Sequence, residues 1–111
     1  MTAPHNVIMT LDAVQDVEEL HDYIASHDAP AKAAHVLDKI EAAILGLERF
    51  PERGAYTKEL LALGIRDFRE TYFKPYRIIY RIFPTEVVVY LVADGRRDLQ
   101  TLLQRRMLSS Q

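Results

Sequence analysis

The spacing of apolar residues changes once along this chain of 111 residues, and that change restricts the possible folds more than any other feature. Up to about residue 50, apolar residues recur every three or four positions, which is typical of one face of an α-helix. From residue 65 to residue 93 they alternate or form continuous apolar runs, which indicates β-strands. Helices followed by strands predict an α+β fold, and the length suits a single domain over residues 1–111.

The first half predicts a short strand followed by two helices. A β-branched stretch at residues 5–10 predicts the strand. The first helix has one apolar face, formed by Ala13, Val17, Leu20 and Ile24. It ends near residues 26–28, where Asp28 is expected to be the N-cap of a second helix with Pro30 in its first turn. The second helix has a wide apolar stripe before Phe50-Pro51 ends it, and a connection of about three residues makes the two helices an antiparallel hairpin.

The second half predicts a small antiparallel sheet and a final helix. Three strands are expected at residues 65–73, 76–83 and 86–93, joined by proline-containing turns. The third strand is apolar on both faces, so we place it in the interior of the sheet. Residues 52–64 are irregular apart from one turn of helix at residues 59–62. The predicted order is β-α-α-β-β-β-α, with an N-terminal strand and the helix hairpin packed on the sheet.

The composition excludes several classes of protein. The chain contains no cysteine, which excludes disulfides, cysteine nucleophiles and thiolate metal sites. This usage fits a reducing compartment, and we expect a cytoplasmic location. No apolar run approaches the ~18 residues of a membrane-spanning helix, and residues 1–10 lack the features of a secretory signal. We therefore expect no membrane association.

The sequence offers few residues for catalysis or cofactor binding. Ser26, His27 and Asp28 are the residue types of a hydrolase triad, but adjacent residues cannot converge as triad members do. The four histidines lack a second ligand at metal-site spacing, and the four glycines are scattered rather than grouped into a phosphate-binding loop. We therefore expect no metal and no cofactor.

The charge is divided unevenly between the two halves. Residues 1–50 hold three basic and nine acidic residues, a net charge of −6, whereas residues 51–111 hold eleven basic and seven acidic residues, a net charge of +4. Such a division indicates an acidic or polyanionic partner for the second half, or simply a solvated acidic face on the helices.

Arginines of the second half are the candidates for such an interaction. Arg77 and Arg81 lie on one side of the same predicted strand, and Arg69 of the neighbouring strand can share that side. Arg96 and Arg97 follow the end of the central strand. Together they form a cationic patch suited to phosphates or carboxylates, or they make ordinary ion pairs, and both alternatives stay open. The acidic residues available for such pairs are Glu70, Glu86 and Asp94.

Three short sequences give the chain a family resemblance. They are FPERG at residues 50–54, YRIIYR at residues 76–81 and GRRDL at residues 95–99. Together with the order of elements over essentially the whole chain, they resemble the RelE/ParE superfamily of bacterial toxins from type II toxin–antitoxin systems. The resemblance implies a RelE/ParE-like fold and a toxin that a cognate antitoxin neutralises.

One branch of the superfamily, the RelE-like toxins, cleaves mRNA on the ribosome with basic residues. If the chain acts in this way, the resemblance implies Arg77, Arg97 and Lys74 as catalytic residues. The lysine pair of that branch falls on Phe68 and Glu70 here, and a carboxylate at such a position repels phosphate.

The other branch, the ParE-like toxins, inhibits DNA gyrase by binding and needs no nuclease site. The segment at residues 96–103 resembles the basic sequence, Asp-Leu pair and tail helix of that branch. We therefore favour a ParE-like inhibitor of DNA gyrase over the RelE-like alternative, whose partners are the ribosome and mRNA. Charge and resemblance indicate six arginines as target contacts: Arg77, Arg81, Arg96, Arg97, Arg105 and Arg106.

The resemblance also implies an antitoxin that wraps a helical or extended segment around the toxin. The expected contacts are apolar residues of the tail helix, namely Leu99, Leu102, Leu103 and Met107. Either these residues lie over the core, or they line a groove that receives the antitoxin. Operator binding in this superfamily usually belongs to the antitoxin, and a net charge of −2 agrees, so we expect no direct sequence-specific DNA binding.

Overall fold

A computed structural model describes residues 4–109 and confirms the predicted α+β fold. Its strands are β1 (Asn6–Met9), β2 (Ala55–Tyr56), β3 (Phe68–Phe73), β4 (Tyr76–Ile82) and β5 (Glu86–Asp94). Its α-helices are α1 (Leu11–His27), α2 (Pro30–Leu45), α3 (Lys58–Leu61) and α4 (Leu99–Ser109). Short 3-10 helices at Gly46–Glu48 and Pro51–Arg53 lead from α2 into the sheet.

All strands form one sheet in the order β1-β5-β4-β3-β2. The interior position predicted for the third long strand is confirmed, because β5 lies between β1 and β4. β1 runs parallel to β5, whereas the other neighbours are antiparallel. The short strand β2, which pairs with Arg69 and Glu70, falls in the segment that the sequence indicated as irregular.

The sheet buries both of its faces against helices. On one face the α1–α2 hairpin covers Ile78 and Tyr80 of β4, and both side chains are fully buried. On the other face α3 and α4 cover Ile79, which is also fully buried. Neighbouring residues of a strand point to opposite faces, so the apolar residues of β4 contribute to both cores.

One expectation at the helix ends is wrong. Asp28 is not the N-cap of α2, because Ala29 occupies that position and makes no side-chain capping bond. Asp28 instead follows α1, and its carboxylate pairs with Lys32 at 2.7 Å. A capping side chain is present instead at the start of α1, where the Thr10 hydroxyl oxygen accepts a hydrogen bond from the Ala13 N–H at 3.1 Å.

The predicted start of the strand at residues 65–73 is also wrong, since β3 begins only at Phe68. Gly64 has a φ of +79°, and the Ile65 N–H bonds back to the Leu60 carbonyl at 2.9 Å. This closes the turn after α3 and holds Ile65 out of the sheet. Within residues 4–109, no helix is long and apolar enough to cross a membrane.

Candidate functional site

The structure distributes the candidate basic residues over three surface cavities. Lys74 and Arg77 line a cavity of about 310 Å³. Arg96 and Arg97 line another of about 450 Å³ between α1 and the end of β5. Arg81 and Arg106 line a third of about 340 Å³ beside α4. The six predicted target-contact arginines therefore lie in different surroundings, with Arg105 exposed on α4.

Arg77 is held by two carboxylates inside the chain. Its guanidinium donates to both oxygens of Glu59 at 2.9 and 2.8 Å, and its Nε donates to Glu70 at 3.1 Å. All three side chains are at most 16% exposed. The hydrogen bonds that Arg77 donates hold the pKa of Glu59 below its usual value, and the same bonds to Glu59 and Glu70 raise the pKa of Arg77. The three groups carry a net charge of −1, so Arg77 presents no unbalanced positive charge here.

Backbone geometry explains why Arg77 lies where it does. Thr71 and Ile78 are opposite each other in the antiparallel β3–β4 ladder. Glu70 and Arg77 each precede one member of this pair, so they are diagonal neighbours on the same face of the sheet. A Cβ atom on Gly95 would lie 3.0 Å from the Arg77 side chain and 3.0 Å from the Pro75 carbonyl oxygen. Glycine at position 95 thus lets the backbone pass close to the aliphatic part of the Arg77 side chain.

Arg69 does not share the side of Arg77 and Arg81, contrary to the sequence expectation. It is opposite Tyr80 in the ladder and therefore points to the face that carries the helix hairpin. Its guanidinium donates to the carbonyls of Glu52 and Gly54 at 3.1 and 2.8 Å. Successive side chains of a strand point to opposite faces, so Arg69 lies on the face of the helix hairpin. There it holds the loop before β2 in place.

Gly54 and Tyr80 meet at a close backbone approach. The buried Tyr80 hydroxyl donates to the Pro51 carbonyl, and burial raises the pKa of Tyr80. A Cβ atom on Gly54 would collide with the Tyr80 hydroxyl and the Glu70 carbonyl oxygen. This contact anchors the segment that leads from α2 to the sheet, and it gives the FPERG sequence a structural role.

Arg96 and Arg97 differ from Arg77 because both are exposed. Arg96 pairs with Asp94 at 2.6 Å and remains 78% exposed. The hydrogen bond from Arg96 lowers the pKa of Asp94, with a smaller contribution from the charge of Arg97. The predicted ion pairing of Arg96 with a nearby acid is thus present, yet the pair leaves both arginines accessible from solvent.

Arg106 connects α4 to two other elements. It donates to Asp16 of α1 at 2.9 and 3.0 Å and to the Tyr90 carbonyl of β5 at 2.7 Å. The hydrogen bond to Asp16 raises the pKa of Arg106. Asp16 also accepts the Val92 N–H at 3.0 Å. These contacts fix α4 against both α1 and β5.

Aromatic rings stabilise two further basic residues. The Arg81 guanidinium lies over the Phe83 ring at 4.9 Å and near Phe68 at 6.0 Å. The Lys74 ammonium lies 5.8 Å from the Tyr72 ring, at an exposed position. Such cation–π contacts leave the charge on the surface while restricting the side chain.

The tail helix lies over the core, one of the two arrangements left open by the sequence. Leu99 and Leu103 are each 2% exposed and join the cluster that contains Ile79. Leu102 and Met107 are half-buried at the edge of that cluster.

The described residues hold no cluster of three or more histidine, aspartate or glutamate side chains that could bind a metal. Three other residues of the site escaped sequence reasoning: Glu59, Asp16 and Gly54. Glu59 lies in the segment without periodicity, and Asp16 is one of several acids on α1. FPERG pointed to Gly54 only as part of a resemblance.

Comparisons with known proteins agree on one family. The family model of the ParE toxin of type II toxin–antitoxin systems, parDE, matches residues 7–99. The chain is 27% identical over 100 residues to Toxin ParE3 of Caulobacter vibrioides, covering 90% of this chain and 96% of that protein.

Solved structures show the same fold. A chain of the chromosomal ParDE system from P. aeruginosa has a TM-score of 0.69 at 16% identity, covering 84% of this chain and 98% of that one. A chain of the RelBE2 toxin–antitoxin complex from Mycobacterium tuberculosis has a TM-score of 0.58 at 27% identity, covering 85% and 94%. A mutant of E. coli toxin RelE in the free state has a TM-score of 0.63 at 13% identity, covering 92% and 97%. Because the family model spans most of the sequence, the chain belongs to the ParE toxin family of type II toxin–antitoxin systems.

Proposed function

We propose that this toxin inhibits DNA gyrase by binding to it, and that a cognate antitoxin neutralises it. The observation that carries the proposal is the state of Arg77, whose guanidinium is bound by Glu59 and Glu70 within the chain. The alternative is an mRNA endonuclease of the RelE type. Such an enzyme needs cationic groups that stabilise the charge that develops on the reacting phosphate.

Arg77 is poorly suited to that task. Glu70 takes part in the Arg77 ion pair at a position where the RelE-like resemblance requires a lysine. Freeing Arg77 for a phosphate would leave two carboxylates without their partner. Lys58 and Lys74 line the same cavity as Arg77, whereas Arg97 lines another.

Accessible arginines support a role in binding. Arg96 and Arg97 are exposed at the end of β5, and Arg105 is exposed on α4. Guanidinium groups on a surface suit carboxylates of a protein partner and steer association with an acidic surface. In this proposal Arg77 and Arg106 stabilise the fold, and the exposed arginines contact the target. Arg81, which lies against aromatic rings, also contacts the target.

The antitoxin completes the proposal. Two of the solved relatives come from ParDE and RelBE toxin–antitoxin systems, which supports such a partner for this chain. Leu99 and Leu103 are already buried, so the half-buried Leu102 and Met107 are the tail residues that an antitoxin would cover. Burial of further apolar surface would favour the complex.

The test is a pair of assays with the purified toxin. One measures gyrase supercoiling and cleavage of plasmid DNA, and the other measures mRNA cleavage in a reconstituted translation reaction. We expect gyrase-dependent DNA breaks and intact mRNA. Ribosome-dependent mRNA cleavage with normal supercoiling would overturn the proposal and return Arg77, Arg97 and Lys74 to a catalytic role.

A further inference from the structure

Arg81 of β4 is half-buried but has no acidic partner. Arg77 and Arg106 are half-buried as well, and each donates hydrogen bonds to carboxylates of the chain. Among the residues that the structure describes, the Arg81 guanidinium contacts only rings, those of Phe83 at 4.9 Å and Phe68 at 6.0 Å. A guanidinium carries five N–H donors, so Arg81 keeps its donors for an acceptor from another molecule.

Arg81 lines the cavity of about 340 Å³ beside α4, which we call the Arg81 cavity. Phe68 and Tyr90 line it too, and their rings pack edge-on with centres 5.4 Å apart. The other apolar residues that line the cavity are Ile65, Leu103 and Met107. Apolar and aromatic residues therefore form much of the wall beside a guanidinium that lacks an acceptor.

A β-bulge places Tyr90 in this wall. In the β4–β5 ladder Ile79 is opposite Leu91. The next residue of β4, Tyr80, is opposite Val89, so Tyr90 is an extra residue on β5. Tyr90 and Leu91 consequently both pack in the cluster on the α4 face, although they are consecutive. Regular alternation would send them to opposite faces, so the bulge gives the cavity an aromatic ring that a regular strand would not supply.

The charges around the cavity favour a ligand with a single negative charge. Arg106 also lines the cavity, but its guanidinium is already paired with Asp16. Asp67 lines it as well and adds a negative charge at an exposed position. A nucleic-acid backbone binds where several uncompensated cations lie together, and these residues do not provide that arrangement. A single carboxylate fits better, because its two oxygens match the guanidinium fork of Arg81.

We propose that the Arg81 cavity binds an acidic side chain of the target protein together with a large apolar side chain next to it. The carboxylate accepts two parallel hydrogen bonds from Arg81, and the apolar side chain packs against Ile65 and Tyr90. The rings beside Arg81 already restrict its side chain, so binding costs less conformational entropy than at a freely moving arginine. The identity of the target, DNA gyrase, rests on the function proposed above.

A small probe tests the cavity without the target. Phenylacetate joins a carboxylate to a ring, and phenylacetamide has nearly the same shape without the charge. In an NMR titration of the full chain we expect phenylacetate to cause saturable shifts of the Arg81 Nε–H and the Ile65 methyl groups. Phenylacetamide is expected to bind at least about tenfold more weakly, because it offers no charge-assisted pair of hydrogen bonds. Inorganic phosphate represents a nucleic-acid backbone and is expected to bind more weakly than phenylacetate.

Substitutions connect the cavity to the target. Arg81→Gln is expected to weaken the binding of both phenylacetate and DNA gyrase at least about tenfold. Arg81→Lys is expected to restore only part of the affinity, because an ammonium group lacks the planar fork. Arg53→Gln is the matched control, since Arg53 lies over the Phe50 ring at 4.9 Å, at an exposed site that does not line the cavity. Equal thermal unfolding midpoints establish that the variants are equally folded.

The outcomes separate this proposal from the proposed function. Absence of saturable phenylacetate binding, or tighter binding of phosphate, would overturn the carboxylate site while leaving gyrase inhibition intact. Equal effects of Arg81→Gln and Arg53→Gln on gyrase binding would overturn the assignment of the cavity to the target. Failure of the unmodified toxin to bind gyrase would overturn the proposed function and this assignment together, whereas the phenylacetate titration would still decide whether the cavity binds a carboxylate.

Discussion

Arg77 packs beside Gly95, and Arg96 and Arg97 directly follow Gly95 in the sequence, yet their surroundings are opposite. Arg77 is buried between Glu59 and Glu70, and its charge is more than balanced. Arg96 keeps 78% of its side chain exposed despite its pairing with Asp94. The residue type is the same at the two sites, so the number of carboxylates and the depth of burial decide which arginine supports the fold and which can contact a partner.

The largest expected effect on stability comes from removing the buried Arg77. Arg77→Met leaves Glu59 and Glu70 close together without a cation, and we expect a loss of about 3–5 kcal/mol in the free energy of unfolding. Urea denaturation measures it, with Arg66→Met at an exposed position as the matched control. A loss below about 1 kcal/mol would mean that the ion pair does not hold the fold as described.

A smaller effect is expected at the loop that packs beside the same site. Gly54→Ala forces a Cβ atom against the Tyr80 hydroxyl and the Glu70 carbonyl, at a cost of about 1–3 kcal/mol. Gly46→Ala is the control, because a Cβ atom there meets nothing within 4 Å. Equal unfolding midpoints for the two variants would contradict the close approach at Gly54.

The pH dependence of stability sharpens the comparison further. Arg77 lowers the pKa of Glu59 from its usual 4.5, so the stabilisation is complete above that pH and is lost as the pH falls toward the lower folded value. We expect Glu59→Gln to show a shallower loss of stability on acidification than the unmodified chain. Glu52→Gln, at an exposed carboxylate, should retain the original slope. Unfolding curves recorded between pH 3 and pH 6 give the comparison, and parallel slopes for all three proteins would contradict it.

The smallest effect on stability is expected from removing the exposed Arg96 and Arg97. Arg96→Ala combined with Arg97→Ala removes charges that are already solvated, so the thermal unfolding midpoint should stay the same. A clear fall in the midpoint would show that these arginines support the fold, and the contrast with Arg77 would disappear.

The periodicity of the sequence was sufficient to predict the main elements and the interior position of β5. It could not predict the parallel pairing of β1 with β5, because residues 6–9 meet residues 86–89 and nothing local specifies so distant a partner. Boundaries were wrong where single contacts decide them, as with Ala29 replacing Asp28 as the N-cap of α2.

The candidate site was less predictable than the fold. Glu70 was foreseen as an ion-pair partner, but Glu59 approaches Arg77 from a segment without a periodic pattern. The sequence shows that α1 is acidic without showing that Asp16 is the acid that accepts the Val92 N–H of β5. Such assignments depend on tertiary packing, which a one-dimensional pattern does not contain.

The most direct test of the central claim compares gyrase-dependent DNA cleavage by the unmodified toxin and the Arg96→Ala, Arg97→Ala double variant. An Arg49→Ala, Arg66→Ala double variant removes the same charge at exposed positions elsewhere and is the control. The account predicts that the first double variant is at least about tenfold less active at equal folding, and that the control matches the unmodified toxin. Full activity of the variant that lacks Arg96 and Arg97 would contradict it.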